Sequence, residues 1–360
     1  MTLQQPTPVD ATRRTEILET AESLIASSGL RTSLQEIANA AGILPGSLYH
    51  HFESKEAILV ELIRRYHADL DWIGQVALER LDAPGSGSVE QKFVELGSAI
   101  ASCAVRHRAA LQMSFYEAPS ENPDLVQLLR QRPTTVQQAM LQTLRAGRWS
   151  GYIRSDLDLP PLADRICQSM MHVGLDVIRR KAPADQVATV LCRIMLHGLA
   201  SRPHDDGELD GSSALAAADA VIRTWRDEDG AGLSDKTARI RAAARTAFGR
   251  KGFETTTVRD IVSAAGFGTR TVYRLVGSKD ELLASIMQTF GEKTAAASMG
   301  VLSSDATPIE KLDALSWIYV NSIVHFPDEW KIQLAWMRQS PPDTPNPGYA
   351  FGSQMQQLKK

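Results

Sequence analysis

Cysteine is scarce: Cys103, Cys167 and Cys192 are the only three in 360 residues, and they lie far apart. No C-x-x-C pair occurs, so neither a zinc motif nor a disulfide framework is indicated. The thiols read as buried apolar side chains. Long apolar runs are missing as well. None approaches the roughly 20 residues that a membrane-spanning helix needs. The opening stretch Met1–Asp10 lacks the charged-then-apolar layout of a secretion signal. The expectation is a cytoplasmic protein with no membrane partner. Enzyme signatures are absent too: there is no G-x-S-x-G, P-loop, dinucleotide-binding glycine pattern or H-E-x-x-H. No catalytic residue, cofactor or metal is expected. His50-His51 is a poor metal pair because adjacent helix positions do not face each other. Strand-like alternation is sparse and helical spacing common, which points to an all-α fold.

What is present is present twice. Ile37-Ala38-Asn39-Ala40-Ala41-Gly42 is followed by Ser47-Leu48-Tyr49-His50 and Ser54-Lys55-Glu56. At an offset of 224, Ile261-Val262-Ser263-Ala264-Ala265-Gly266 is followed by Thr271-Val272-Tyr273-Arg274 and Ser278-Lys279-Asp280. A helix, a tight turn at a glycine and a second short helix is the helix-turn-helix plan, whose second helix enters the DNA major groove. Each copy has a preceding helix: Ile17, Ala21, Leu24 and Ile25 share one face, as do Ile240, Ala244, Ala247 and Phe248. Gly29 and Gly252 stand where those helices would end. Ser33 with Glu36, and Thr257 with Asp260, have capping-box spacing.

The net charge of −3 hides an asymmetry. Thr12–His67 holds 6 Lys/Arg and 7 Asp/Glu, a net of −1, whereas Asp235–Lys293 holds 11 and 6, a net of +5. The second copy carries the stronger attraction to phosphate. In the first copy Pro45 suits a first helical position, and Gly46 lets backbone approach the duplex. Ser47 can bond a base edge or a phosphate, and Tyr49 and His50 offer donors to phosphate oxygens. Lys55, Thr32 and Ser33 lie at helix starts, which favour anions, and Leu44 completes the set. Leu48 and Phe52 are expected to face the core. In the second copy Thr256, Thr257, Thr269, Arg270, Thr271, Tyr273, Arg274 and Lys279 take these places. Arg270 is suited to bidentate pairing with guanine. Val276 replaces Phe52 and Gly277 replaces Glu53, so the second copy loses a ring behind its third helix.

The run Ala41-Gly42-Ile43-Leu44-Pro45-Gly46-Ser47-Leu48-Tyr49-His50-His51-Phe52-Glu53-Ser54-Lys55-Glu56 resembles the signature of the TetR family of transcriptional regulators. It looks most like the branch that responds to coenzyme A thioesters of steroid or fatty-acid breakdown. The resemblance implies two units, each a three-helix DNA-binding head on a helical body that holds a small-molecule inducer, the second body truncated. It also implies a homodimer through the last two helices of a body, here Leu162–Arg180 and Ala184–Leu199. The expected division is 12–67 for the first head, 68–201 for its ligand-binding and dimerisation body, and 202–233 for a linker with a connecting helix. The second head is then 234–290, and a partial second body is 291–360. Met113 against Met337, and Asn122-Pro123 against Asn346-Pro347, carry the offset of 224 into the bodies. On that register the second unit has no counterpart of the two apolar helices, either because it is naturally short or because the chain is a piece of a longer one.

Met113, Phe115, Tyr116, Met140, Trp149, Met170 and Met171 are candidates to line a ligand pocket, although such residues at helical spacing are more often core. Arg106-His107-Arg108 reads as a solvated helix end rather than a phosphate site. His172 and His197 read as interface histidines. The function expected is a ligand-released repressor that binds double-stranded operator DNA. The competing expectation is an adaptor whose second head binds protein instead of DNA.

Overall fold

Helix starts in this chain coincide with side chains able to close them. A computed structural model describes residues 8–28, 32–81, 87–114, 122–180, 182–199, 204–231, 235–253 and 256–339, and all the regular structure among them is helical. Two compact units part between Leu199 and Ala200. The first contains α1 (Pro8–Ser28), α2 (Leu34–Ala40), α3 (Pro45–His51), α4 (Lys55–Leu81), α5 (Val89–Arg106), α6 (Arg108–Ser114), α7 (Pro123–Arg130), α8 (Thr134–Trp149), α9 (Leu159–Arg180) and α10 (Ala184–His197). The second contains α11 (Asp206–Asp210), α12 (Ser213–Ala231), α13 (Lys236–Lys251), α14 (Val258–Ala265), α15 (Thr269–Val276), α16 (Lys279–Leu302), α17 (Pro308–His325) and α18 (Pro327–Gln339). Both expected capping boxes form. Glu36 and Asp260 bond back to the N–H groups of Ser33 and Thr257 at 2.6 and 2.8 Å. Ser278 with Glu281 and Thr307 with Glu310 add two more, at the starts of α16 and α17.

In the first unit, α5 lies against α4, α8, α9 and α10. Phe93, Leu96, Ile100, Cys103 and Ala104 are buried along it. The crossing of α4 and α8 is close enough to require glycine. A Cβ at Gly74 would fall 2.6 Å from the carbonyl carbon of Thr135. Burying this many aliphatic side chains, at about 1.5–3 kcal/mol each, is the main stabilising term.

In the second unit, α12 packs on α16 and α17 just as α8 packs on α4 and α5. Trp225 on α12 is buried, and its ring centroid lies 5.0 Å from that of Phe326. Residues 202–233 were expected to be a linker with a connecting helix; that helix, α12, instead contributes Ala214, Ala218, Ile222 and Trp225 to the second unit's core. The expected domain boundaries at 67/68 and 290/291 fall inside α4 and α16, each of which runs unbroken from head to body.

The repeat also changes register. The starts of α4 and α5 are 34 residues apart, those of α16 and α17 only 29. Beyond α16 the offset is therefore 219, not 224. Met113 corresponds to Ile332, and both are buried. The expected match of Met113 with Met337 is a coincidence of residue type. The Asn346-Pro347 match and Gly29 lie outside the described residues. On the corrected register, Ile100 and Ala101, buried under neighbouring helices, correspond to Tyr319 and Val320, both 54% exposed.

Candidate nucleic-acid interface

Each head places its recognition helix by a glycine turn and one buried apolar residue. Gly42 and Gly266 have φ of +67° and +71°, a conformation that other residues adopt at a cost. Leu48 and Val272 are buried and fix the inner faces of α3 and α15. The outer face of α3 then carries Ser47, Tyr49 and His50 exposed, with Leu44 and Gly46 exposed at its start and Pro45 half-buried. On α15, Thr269, Arg270, Tyr273 and Arg274 are exposed and Thr271 is half-buried. Ser33 and Thr257 are exposed at the starts of α2 and α14.

Three expected contacts are corrected. Thr32 and Thr256 are buried. The Thr256 hydroxyl donates to the carbonyls of Ala247 and Gly252 at 3.1 and 2.7 Å. It locks the α13–α14 loop and is not free to meet phosphate. The Lys279 ammonium donates to the carbonyls of Phe253 and Thr256 at 2.8 and 3.0 Å and lies 4.2 Å from the Phe253 ring centroid. It braces the same loop. Lys55, at the same place in the first head, is half-buried, and desolvation pulls its ammonium below the ordinary lysine range.

The two heads are braced alike from different positions. Arg13 donates to the carbonyl of Ala41 at 3.1 Å, and Arg239 to that of Ala265 at 3.4 Å. The carbonyls correspond, but Arg239 stands where the first head has Glu16, one helical turn further on. In the first head Arg14 also lies 4.1 Å from the Phe52 ring centroid and donates to the carbonyl of His51 at 2.6 Å. The second head lacks that ring. Phe248, buried against Phe253 at 5.2 Å between centroids, supplies its aromatic packing. Gly277 closes α15 at φ +70°. A basic side chain that the motif comparison missed is Arg259, exposed in the first turn of α14. The signal was its place two residues after the N-cap.

The body candidates divide. Met113, Met140, Met170 and Met171 are buried. Trp149 is 94% exposed, because it ends α8 with its side chain on the solvent side, and it lines no interior. Phe115 and Tyr116 lie outside the described residues. At the end of α5, Arg106 is exposed, as expected of a solvated end, and His107 is half-buried. Both meet Asp69, at 3.4 and 2.9 Å from its Oδ2. His197 meets Glu90 at 3.4 Å and Tyr152 at 3.5 Å, and His172 Nδ1 lies 2.7 Å from the Gln168 carbonyl.

Two polar junctions connect head to body, one in each unit. In the first unit a Glu22 carboxylate oxygen accepts the N–H of Ala109, at the start of α6, at 2.6 Å. Burial pushes the Glu22 carboxyl up to about 7, against the lowering effects of that hydrogen bond and of Arg108. In the second, Arg245 pairs with Glu329 at 3.3 Å and Thr246 donates to Asp328 at 3.1 Å.

Two helix-turn-helix heads with exposed recognition faces, each joined to a helical body by one unbroken helix, define a DNA-binding regulator of transcription. The family model described as bacterial regulatory proteins, tetR family, matches residues 17–62 and again 240–286. The chain is 33% identical over 216 residues to the HTH-type transcriptional repressor KstR2 of Rhodococcus jostii (strain RHA1), covering 56% of this chain and 99% of that protein. It is 32% identical to the repressor of the same name from Mycolicibacterium smegmatis, over 54% of this chain and 94% of that one. A solved structure of the ketosteroid transcriptional regulator KstR2 of Mycobacterium tuberculosis is 28% identical, with a TM-score of 0.43, over 55% of this chain and 98% of that chain. The chain belongs to the TetR family of bacterial transcriptional regulators. A whole relative accounts for little more than half of it, and the head recurs in the remainder. None of its described helices is long and apolar enough to cross a membrane.

Proposed function

We propose that the chain is a transcriptional repressor released from its operator by a small-molecule ligand, an acyl-coenzyme A or another lipid-derived metabolite, whose apolar part is bound in the first unit's body. The observation that carries this reading is the continuity of α4, which starts beside the recognition helix at Lys55 and ends in the body at Leu81. A ligand that moves α4 within the body must also move α3. The Glu22–Ala109 bond gives the body a second grip, on α1. The buried thioethers of Met113, Met140 and Met170 suit an adaptable apolar site.

Ser47 reads base edges in the first head, with Tyr49, His50 and Ser33 on phosphates. In the second head Arg270 pairs with guanine, and Thr257, Arg259, Tyr273 and Arg274 take phosphates. The first unit dimerises through α9 and α10, where Val190 and Met195 are exposed at 57% and 38%. A symmetric pair of first heads then fits half-sites about one helical turn, roughly 34–36 Å, apart. The test is to select bound DNA from a random pool and titrate the complex with long-chain acyl-coenzyme A, with free coenzyme A as control. Release by the thioester alone supports the reading. Release by neither, or by both equally, contradicts the ligand class.

A further inference from the structure

The first unit gathers three metal-ligating side chains that sequence spacing conceals. Asp69 comes from the middle of α4, Cys103 from the last turn of α5, and His107 from the turn between α5 and α6. One ligand atom from each lies within 4.8 Å of the others. Only Cys103 and His107, four residues apart on one helical face, are near in sequence. We infer that Asp69, Cys103 and His107 form a binding site for a zinc-class divalent ion.

The donor set is the first support. Thiolate, imidazole and carboxylate together suit zinc and its neighbours rather than magnesium or calcium, which take oxygen. Geometry is the second. A tetrahedral ion with bonds of about 2.0–2.3 Å needs ligand atoms about 3.3–3.8 Å apart, which rotamer adjustments from the present spacing supply. The surroundings are the third. Tyr66 Oη is buried with no hydrogen-bond partner among the described residues. Its ring centroid lies 5.7 Å from that of His107, so an unsatisfied polar side chain adjoins the group. Arg106, now 3.4 Å from Asp69, is 59% exposed and free to swing into solvent. On binding, the Cys103 thiol gives its proton to solvent and the ion takes its place.

The second unit is a control built into the chain. The places of Asp69, Cys103, His107 and Tyr66 are held there by Lys293, Ser322, Phe326 and Phe290. No ligating set survives, so general packing needs do not explain the group in the first unit. An ion there ties α4, the helix from the head, to the turn that starts α6.

The test uses the full chain, stripped with chelator and titrated with Co²⁺. One Co²⁺ per chain is expected, with visible bands of tetrahedral cobalt and a thiolate-to-cobalt band in the near ultraviolet, all displaced by Zn²⁺. Cys103→Ser removes the near-ultraviolet band, while Cys192→Ser keeps it. Asp69→Asn, at a half-exposed position where the fold tolerates change, and His107→Gln each weaken binding beyond the roughly 10–100-fold that loss of an outer-shell partner costs. The inference is overturned if the folded chain takes up no Co²⁺, if the band survives Cys103→Ser, or if Asp69→Asn and His107→Gln leave affinity unchanged.

Discussion

The two units join head to body at the same place with opposite chemistry. In the first, the head supplies an acid, Glu22, and the body supplies the N–H of Ala109. In the second, the head supplies a base, Arg245, and the body supplies the acid, Glu329. Glu22 and Arg245 occupy equivalent turns of α1 and α13, and Ala110 and Glu329 equivalent turns of α6 and α18. The place of the joint is kept while the head's charge there changes sign. A repeat of this kind preserves packing positions and lets polar partners change together. Conversely, where one unit has a polar group and the other has none, as at Asp69, Cys103 and His107, packing is not the reason for it.

The largest expected effect is on DNA. Tyr49→Ala with His50→Ala should weaken operator binding at least about 100-fold, as loss of phosphate contacts does. Tyr273→Ala with Arg274→Ala should cost only about tenfold but flatten the salt dependence by about one ion, that of Arg274. Titrations at several salt concentrations check both. Equal losses from the two heads would erase the difference argued between them.

Next is the joint itself. Because burial raises the Glu22 carboxyl to about 7, the folded state holds its proton more tightly than the unfolded chain does. Its stabilising contribution is complete below the ordinary carboxylate range and is lost as pH rises through about 7. Glu22→Gln removes the buried charge and keeps an acceptor. It should stabilise the first unit by on the order of 2–3 kcal/mol at pH 8 and by almost nothing near pH 4. Thermal melts should show Tm roughly 5 °C higher at the alkaline end only. In the second unit burial also raises Glu329, and Arg245 opposes it. Arg245→Met should therefore steepen the alkaline loss rather than flatten it.

A smaller contrast lies in the long helices. Gly74 on α4 faces the backbone of α8, whereas Ser298 at the same place on α16 carries a side chain that donates to the Thr294 carbonyl. Gly74→Ser should cost about 1–3 kcal/mol by overpacking, and Ser298→Gly about 0.5 kcal/mol from helix propensity alone. Denaturant midpoints measure both. Smallest is loss of a cap. Ser33→Ala and Thr257→Ala should each cost about 1 kcal/mol of local stability, read by hydrogen exchange in α2 and α14.

Both heads could be read from the sequence because their markers are local: a glycine turn, a capping pair three residues apart, an apolar face. The body register was not. It slipped by five residues between α16 and α17, where the helix-start markers Ser88 with Gln91 and Thr307 with Glu310 went unmatched, and chance matches at Met337 and Asn346-Pro347 hid the slip. The core role of α12 was hidden because its alanine-rich face and single Trp225 resemble a connector until α16 and α17 are seen beneath it. Thr256 and Lys279 misled for a related reason. Polar residues at helix starts serve the protein's own loop carbonyls as readily as a phosphate, and only burial tells the two apart. The Asp69–Cys103–His107 group spans two helices 34 residues apart in the chain, beyond the reach of any spacing rule.

The central claim, that one complete unit sets the operator and a second, differently charged head adds to it, is tested most directly by selecting DNA from a random pool with the full chain and with the two head variants. The account predicts a palindromic site that disappears with Tyr49→Ala/His50→Ala, and a flanking element, distinct from the palindrome, that disappears with Tyr273→Ala/Arg274→Ala. A palindrome that persists without the first head's residues, or that is lost only with the second's, would contradict it.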